Sequence, residues 1–413
     1  MSTAAATPAD PTRHFAFWPK RIPRELETPD TSLWANLDIT HRRYADRPAF
    51  VFFDRVTTYR ELFASVEKLA GWLQQIAGVK KGDRVALCLQ NSPQFVIAYY
   101  AVLRADAVVV PVNPMNKAAE LTHYITDPVA RVAIVGSDLA AAWIAANQEV
   151  AATKPDMALQ HLLVTRYCDE MSNGALPAGG FPDAWRAWLD LAVDMPTYAT
   201  AWRDAMGAGL TASAPIAGPD DLAVLPYTSG TTGLPKGCMH THRTIMHNVV
   251  SGAVWANGSS AVVSLAVVPM FHITGMLYGL HVPIYLGSCA VIMPRWDRDV
   301  AGRLISTYKV TSWTMVPTMM IDLLASPNVA QYDLSSLQYI GGGGAAMPQA
   351  VAQKLLDQFG LKFVEGYGLT ETAAPSHSNP PDAPKQQCLG VPYVGTDSRV
   401  VNPDTLAPCA IGE

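Results

Sequence analysis

The segment YTSGTTGLPKG, Tyr227 to Gly237, gathers three threonines, one serine and four Gly or Pro residues around a single cation, Lys236. Glycine lets backbone N–H groups turn toward a ligand with no Cβ in the way. Hydroxyls add short donors, and the ammonium adds a positive point charge. That chemistry suits a loop wrapped around a polyanion. A Walker A loop starting at Gly230 would need Gly-Lys at 235–236 and Ser or Thr at 237, where the chain has Pro235, Lys236 and Gly237. It is therefore not that loop. The composition would also serve a surface turn, but the apolar run at 222–225 reads as a buried strand delivering it.

Three other stretches carry candidate chemistry. PMFHITG, 269–275, sets His272 in an apolar, glycine-flanked turn. GGGGAAMP, 341–348, follows a strand-like run at 337–340 and forms a wall almost without side chains. EGYGLTET, 365–372, follows a strand at 362–364 and brings Tyr367, Thr370 and Glu371 together. Singly, each has a plain structural reading: a core histidine, a tight strand-to-helix connection, and a helix start capped by Thr370.

The elements that must position these residues are legible from periodicity. Apolar residues Leu62, Val66, Leu69, Leu73 and Ile76 recur at steps of three and four, predicting a helix over 58–76 with a Thr58/Glu61 capping box. Strands at 84–89, 107–111 and 129–135 alternate with helices at 93–104 and 118–126. After Asp221 the alternation resumes, with strands at 222–226, 261–268, 289–293 and 312–316 and helices from 243, at 275–286 and at 299–308. Such alternation means βαβ units and a mainly parallel sheet. Residues 137–219, rich in Ala, Gly and Pro, join two α/β sub-domains.

Composition narrows the class. The 413 residues suggest roughly two to three structural units. With 49% apolar and 16% charged residues, a large core is expected and chain-wide disorder is not. The net charge of −5 comes without a basic stripe, which argues against nucleic-acid binding. Six scattered cysteines without a C-x-x-C pair point to neither a zinc site nor a disulfide framework, and the N-terminus lacks a secretory apolar core. A cytoplasmic location is expected. Residues 244–294 hold no Asp, Glu, Lys or Arg, but Asn257-Gly-Ser-Ser260, Pro269, His272, His281 and Pro283 interrupt them. Buried α/β core explains that segment better than a membrane span.

In this order, YTSGTTGLPKG, PMFHITG, the Gly/Ala wall and YGLTE resemble the adenylate-forming superfamily: acyl-CoA synthetases, peptide-synthetase adenylation domains and luciferases. Tyr59-Arg-Glu-Leu62 and Lys81-Gly-Asp-Arg-Val85 resemble the family's opening, so the likeness runs from about residue 30. It implies an α/β fold of two stacked, mainly parallel αβα sub-domains, 30–218 and 219–376, with a smaller β sub-domain beginning at 377–413. It further implies activation of a carboxylate by ATP and Mg²⁺ to acyl-AMP and pyrophosphate, then acyl transfer to a thiol. Thr228, Ser229, Gly230, Thr231, Thr232, Gly233 and Lys236 would hold the β- and γ-phosphates, and Thr228 and Glu371 the metal. Thr370 would meet the α-phosphate. Tyr367 would stack on adenine against Gly344, Ala345 and Ala346, with Glu365 and Gly366 along its edge and Gly368 also among the nucleotide-binding residues. His272 resembles the histidine near the substrate carboxylate and the thiol's entry, making His272, Thr228, Lys236 and Glu371 the catalytic set.

The family continues with a ribose-binding aspartate, a hinge and a small domain carrying a lysine, and this chain stops at Ile411-Gly-Glu413. The expectation is a large N-terminal domain, adenylating poorly alone. No acid in 244–294 is present to pair a substrate ammonium, which disfavours amino acids. Gly342 and Gly343 leave room, and Met276 and Met315, with Met270, Met319 and Met320, offer adaptable lining. A medium- or long-chain fatty acid handed to coenzyme A is the leading expectation. An aryl acid, a carrier-protein acceptor, or a non-catalytic nucleotide-binding domain stay open, as does an oligomer.

Overall fold

The structure, a computed structural model, describes residues 10–228 and 233–411. Among the described residues eighteen strands follow in order: β1 Pro48–Phe52, β2 Arg55–Thr58, β3 Arg84–Cys88, β4 Val108–Pro111, β5 Val132–Gly136, β6 His161–Thr165, β7 Ala199–Ala201, β8 Leu222–Val224 and β9 Tyr227–Thr228. Then come β10 Lys236–Gly237, β11 His240–Thr241, β12 Val263–Ala266, β13 Cys289–Ile292, β14 Ser312–Met315, β15 Tyr339–Gly342, β16 Phe363–Leu369, β17 Ala374–Ser378 and β18 Val391–Pro392. One sheet has the order β11-β8-β4-β3-β5-β6-β7, the other β18-β17-β16-β15-β14-β12-β13-β1-β2, and β9 and β10 form a separate hairpin. Apart from β11, the first sheet is parallel, and the second is parallel from β16 to β1. This is the α/β class that the alternation predicts.

Local elements form where their patterns place them. The helix Tyr59–Gln75 starts with both halves of the Thr58/Glu61 capping box and buries Leu62, Val66, Leu69 and Leu73. Helices Pro93–Arg104 and Ala118–Thr126 match the sequence expectation residue for residue. The strand expected from Val129 starts only at Val132, because Val129 takes φ 54 after the Asp127-Pro128 break. The expected helix at 275–286 is a run of three pieces, Ile273–Met276, a wider π-turn Leu277–His281, and Val282–Leu286. Pro283 accounts for the widening, since it lacks an N–H and its ring crowds the carbonyl four residues back.

The sub-domain limits need correcting. β1 and β2 lie before residue 218 yet belong to the second sheet, with Phe50 opposite Ala290, while β8 and β11 lie after 219 yet extend the first. Strand patterns report that a strand exists, not which partner it finds. Likewise β17 begins before 377 and pairs with the distal half of β16. Among the described residues no helix is long and apolar enough to cross a membrane. The charge-poor stretch 244–294 supplies β12, β13 and helices packed in the shared core.

Where the sheets meet, Arg295, beyond β13, reaches Asp138, beyond β5 (Nη2–Oδ2 3.3 Å), and its guanidinium lies 3.9 Å over the Trp188 ring. Burial pushes the Asp138 carboxyl up from 3.8 to about 6, more than Arg295 pulls it down. Because the folded value lies above the unfolded one, this group's stabilisation is complete below about pH 4 and lost as pH rises through about 6. The stability of an Asp138→Asn variant relative to wild type should therefore rise by about 2 kcal/mol between pH 4 and 7. Chemical denaturation at several pH values checks this, and a pH-independent difference would refute it.

Candidate active site

The phosphate-loop candidate is a hairpin. β9 and β10 pair antiparallel, with Lys236 directly opposite Thr228 and Gly237 opposite Tyr227. The candidates Ser229, Gly230, Thr231 and Thr232 lie outside the described residues. Tyr227 anchors the base by donating to Asp127 (Oη–Oδ2 2.6 Å), and His123 bonds the Pro235 carbonyl (2.8 Å). Gly233 and Lys236 are exposed. Its exposure lets the cation meet a ligand.

EGYGL is not a loop after a strand, as its glycines suggest, but the second half of β16. Strand alternation turns Val364, Gly366 and Gly368 toward a cavity of about 400 Å³, which Tyr367 also lines. Glu365, expected along the nucleotide's edge, faces the other way. Its buried Oε1 accepts from the Met347 N–H (3.1 Å) and the Gln387 N–H (3.4 Å), so it clamps loops instead. Thr370 is not a cap but the first residue of a 3₁₀ turn, Thr370–Thr372, with Glu371 exposed on it. Beyond it Ala373 and Ala374 take φ 54 and 83, values that L-residues rarely adopt.

Two of the four glycines, Gly341 and Gly342, belong to β15 rather than to a connecting loop. A Cβ on Gly342 would sit 1.8 Å from the Met315 carbonyl oxygen, and one on Gly343 2.4 Å from that of Gly366. Gly341 to Gly344 line the cavity, whereas Ala345 and Ala346 are exposed beyond its edge. Of the five methionines offered as lining, only Met315 reaches it. Met276 is fully buried in the core, where the Tyr99 hydroxyl donates to its sulfur (3.2 Å), because Thr274, Gly275 and Tyr278 are the residues of that run that face open space.

His272 stands at the rim, capping Ile273–Met276: its Nδ1 accepts from the Thr274 N–H (3.3 Å). That bond leaves the proton on Nε2, and burial lowers the ring's pKa, so at neutral pH it is a neutral donor. Its loop is held by Asn91, which pattern reading missed. The Asn91 amide donates to the Val268 carbonyl (3.1 Å), and its oxygen accepts from the Met270 N–H (2.7 Å).

A second cavity of about 420 Å³ adjoins the first, and Val268, Thr274, Tyr278, Thr314 and Tyr339 line both. It continues past Gly279 and Val282 to Leu286 and Ala253. Nothing in the motifs signals it, since its walls come from five elements: the helix His242–Trp255, β12, the helical run 273–286, β14 and β15. A divalent cation suits the donor set on chemical grounds: Glu371 and Thr228 offer hard oxygen, and Mg²⁺ is commonly held by one or two carboxylates plus substrate phosphates.

The sequence profile of the family described as "AMP-binding enzyme" matches residues 37–413. A long-chain-fatty-acid–CoA ligase from Bacillus subtilis is 33% identical over 409 residues, 96% of this chain and 71% of the relative. The solved long-chain-fatty-acid-CoA ligase FadD1 from Archaeoglobus fulgidus superposes with a TM-score of 0.77 at 25% identity, covering 96% of this chain and 76% of that one. An anthranilate CoA ligase, AuaEII, solved with anthranoyl-AMP, shares the fold with a TM-score of 0.79 at 23% identity, covering 94% and 69%.

Proposed function

This chain belongs to the AMP-binding enzyme family, and from that premise we propose that it serves ATP-dependent activation of a medium- or long-chain fatty acid to acyl-AMP, with the acyl group then passed to coenzyme A. The observation that carries the choice of acid is the pair of adjoining cavities, about 400 and 420 Å³. A flat aryl acid needs only the first. An alkyl tail would pass Tyr278 and Tyr339 into the second, along Ala253, Val262, Val282 and Leu286, with Asn257, Ser259 and Gln338 also in its wall.

A carboxylate oxygen attacking the α-phosphorus forms the acyl–phosphate bond as the bond to pyrophosphate breaks, bringing anion to anion. Charge must therefore be neutralised and the attack line held. In this reading Lys236 and the hairpin hold the departing β- and γ-phosphates. Glu371 and Thr228 would hold Mg²⁺, which would supply charge neutralisation on the phosphates. Thr370 donates to the α-phosphate, and Tyr367 stacks on adenine against the Gly344 backbone. His272, donating through Nε2, orients the acid's carboxyl at the cavity mouth. In the second half-reaction a thiolate attacks the acyl carbon and AMP leaves.

The test is thermal stability with non-hydrolysable acyl-adenylate analogues bearing acetyl, dodecanoyl, hexadecanoyl, benzoyl and cinnamoyl groups, with adenosine as blank. A ligand at about 100 times its Kd should add about 2.7 kcal/mol. The long alkyl analogues are expected to raise the midpoint most. A response confined to aryl analogues would overturn the choice of acid, and no response to any would overturn the site.

A further inference from the structure

The hairpin and the turn that begins at Thr370 lie far apart in the chain, yet one histidine, 130 residues before Thr370, joins them. His240, four residues after Lys236 in β11, is buried, and its Nε2 lies 2.8 Å from the Thr370 carbonyl oxygen. A carbonyl only accepts, so this nitrogen carries the proton. Two turns along the helix His242–Trp255, buried Asn248 donates from Nδ2 to the carbonyls of Thr372 (2.8 Å) and Ala373 (2.7 Å). The gripped turn includes Ala373 and Ala374 at φ 54 and 83, conformations that persist only where the surroundings impose them. On its other side, Gly368 lets the Ala374 carbonyl approach to where a Cβ would be 1.8 Å away.

From this geometry we propose that His240 and Asn248 are positioning residues that lock the Thr370–Glu371 turn to the Lys236 hairpin and so set the spacing of the metal carboxylate and the phosphate-binding cation; the inference rests on the functional reading above. Neither side chain need touch the ligand. His240 fixes the Thr370 carbonyl, and Asn248 fixes those of Thr372 and Ala373. Between them Glu371 is left with one backbone placement relative to the strand that leads out of the hairpin.

Titration calorimetry of this chain with ATP in Mg²⁺ and in EDTA, and with adenosine, tests it. His240→Leu should lose about tenfold of the Mg²⁺-supported gain in ATP affinity while adenosine binding stays within about twofold. His240→Gln, whose amide N–H can reach the Thr370 carbonyl, should recover most of the gain, and Asn248→Leu should resemble His240→Leu. A Mg²⁺ gain unaltered in His240→Leu would overturn the proposal. So would parallel loss of adenosine and ATP binding, with a lowered melting midpoint, in both the Leu and Gln variants of His240. If wild type binds neither ATP nor adenosine, the functional reading falls and takes the inference with it. A normal wild-type response with insensitive variants removes the inference alone.

Discussion

Lys236→Met is expected to weaken Mg²⁺-ATP binding on the order of 30-fold while leaving acyl-adenylate analogue binding within about threefold. The asymmetry follows from where the lysine stands. It lies opposite Thr228 on an exposed hairpin, outside the residues that line the cavity. An acyl-adenylate has no β- or γ-phosphate, so it has nothing for this ammonium to meet. A methionine of similar length keeps the hairpin's packing and removes only the charge and its donors. Calorimetry with the two ligands separates the effects. Equal loss of both would mean that the hairpin supports the cavity itself, and loss of neither would remove Lys236 from the site.

Gly342→Ala is expected to destabilise the chain by about 3 kcal/mol, at the upper end for overpacking. Gly342 lies in register with Met315 on two parallel inner strands, and the added Cβ would fall 1.8 Å from the Met315 carbonyl oxygen. That neighbour is backbone, so relief requires β14 and β15 to part. Both residues also line the first cavity, so analogue binding should fall with stability. Denaturant midpoints measured beside a control in the open, Gly179→Ala, which would meet nothing within 4 Å, check it. A loss below about 1 kcal/mol would show that the sheet yields cheaply there.

Local chemistry was readable because it is written in neighbouring residues. The Thr58/Glu61 box, the helices Pro93–Arg104 and Ala118–Thr126 and the α/β alternation need only turns of chain that contact themselves. The four motifs were legible for the same reason, as each is a run of fewer than a dozen residues. The glycines misled in one respect. Gly341 and Gly342 read as a connection, and Gly366 and Gly368 as lying past a strand's end, but all four are strand, because close approach of a neighbouring backbone uses glycine as readily as a turn does.

Partnership across the chain was not readable. His240 lies outside the four motifs, although a histidine four residues after the only lysine of the loop was a usable hint. Asn91, Asn248 and the boundary that Tyr278 and Tyr339 share between the two cavities gain their roles from contacts well over a hundred residues away or from walls shared by several elements. Glu365 and Met276 were misplaced because composition names a side chain without saying which face it takes; that is set by strand and helix phase against the packed neighbours. The sequence by itself pointed to the class of chemistry, a loop whose composition suits a polyanion, a carboxylate and a histidine on an α/β frame. Only the tertiary structure decided their spacing and the second chamber beside them, since both depend on which strands pair, and pairing is a long-range choice that local periodicity does not encode.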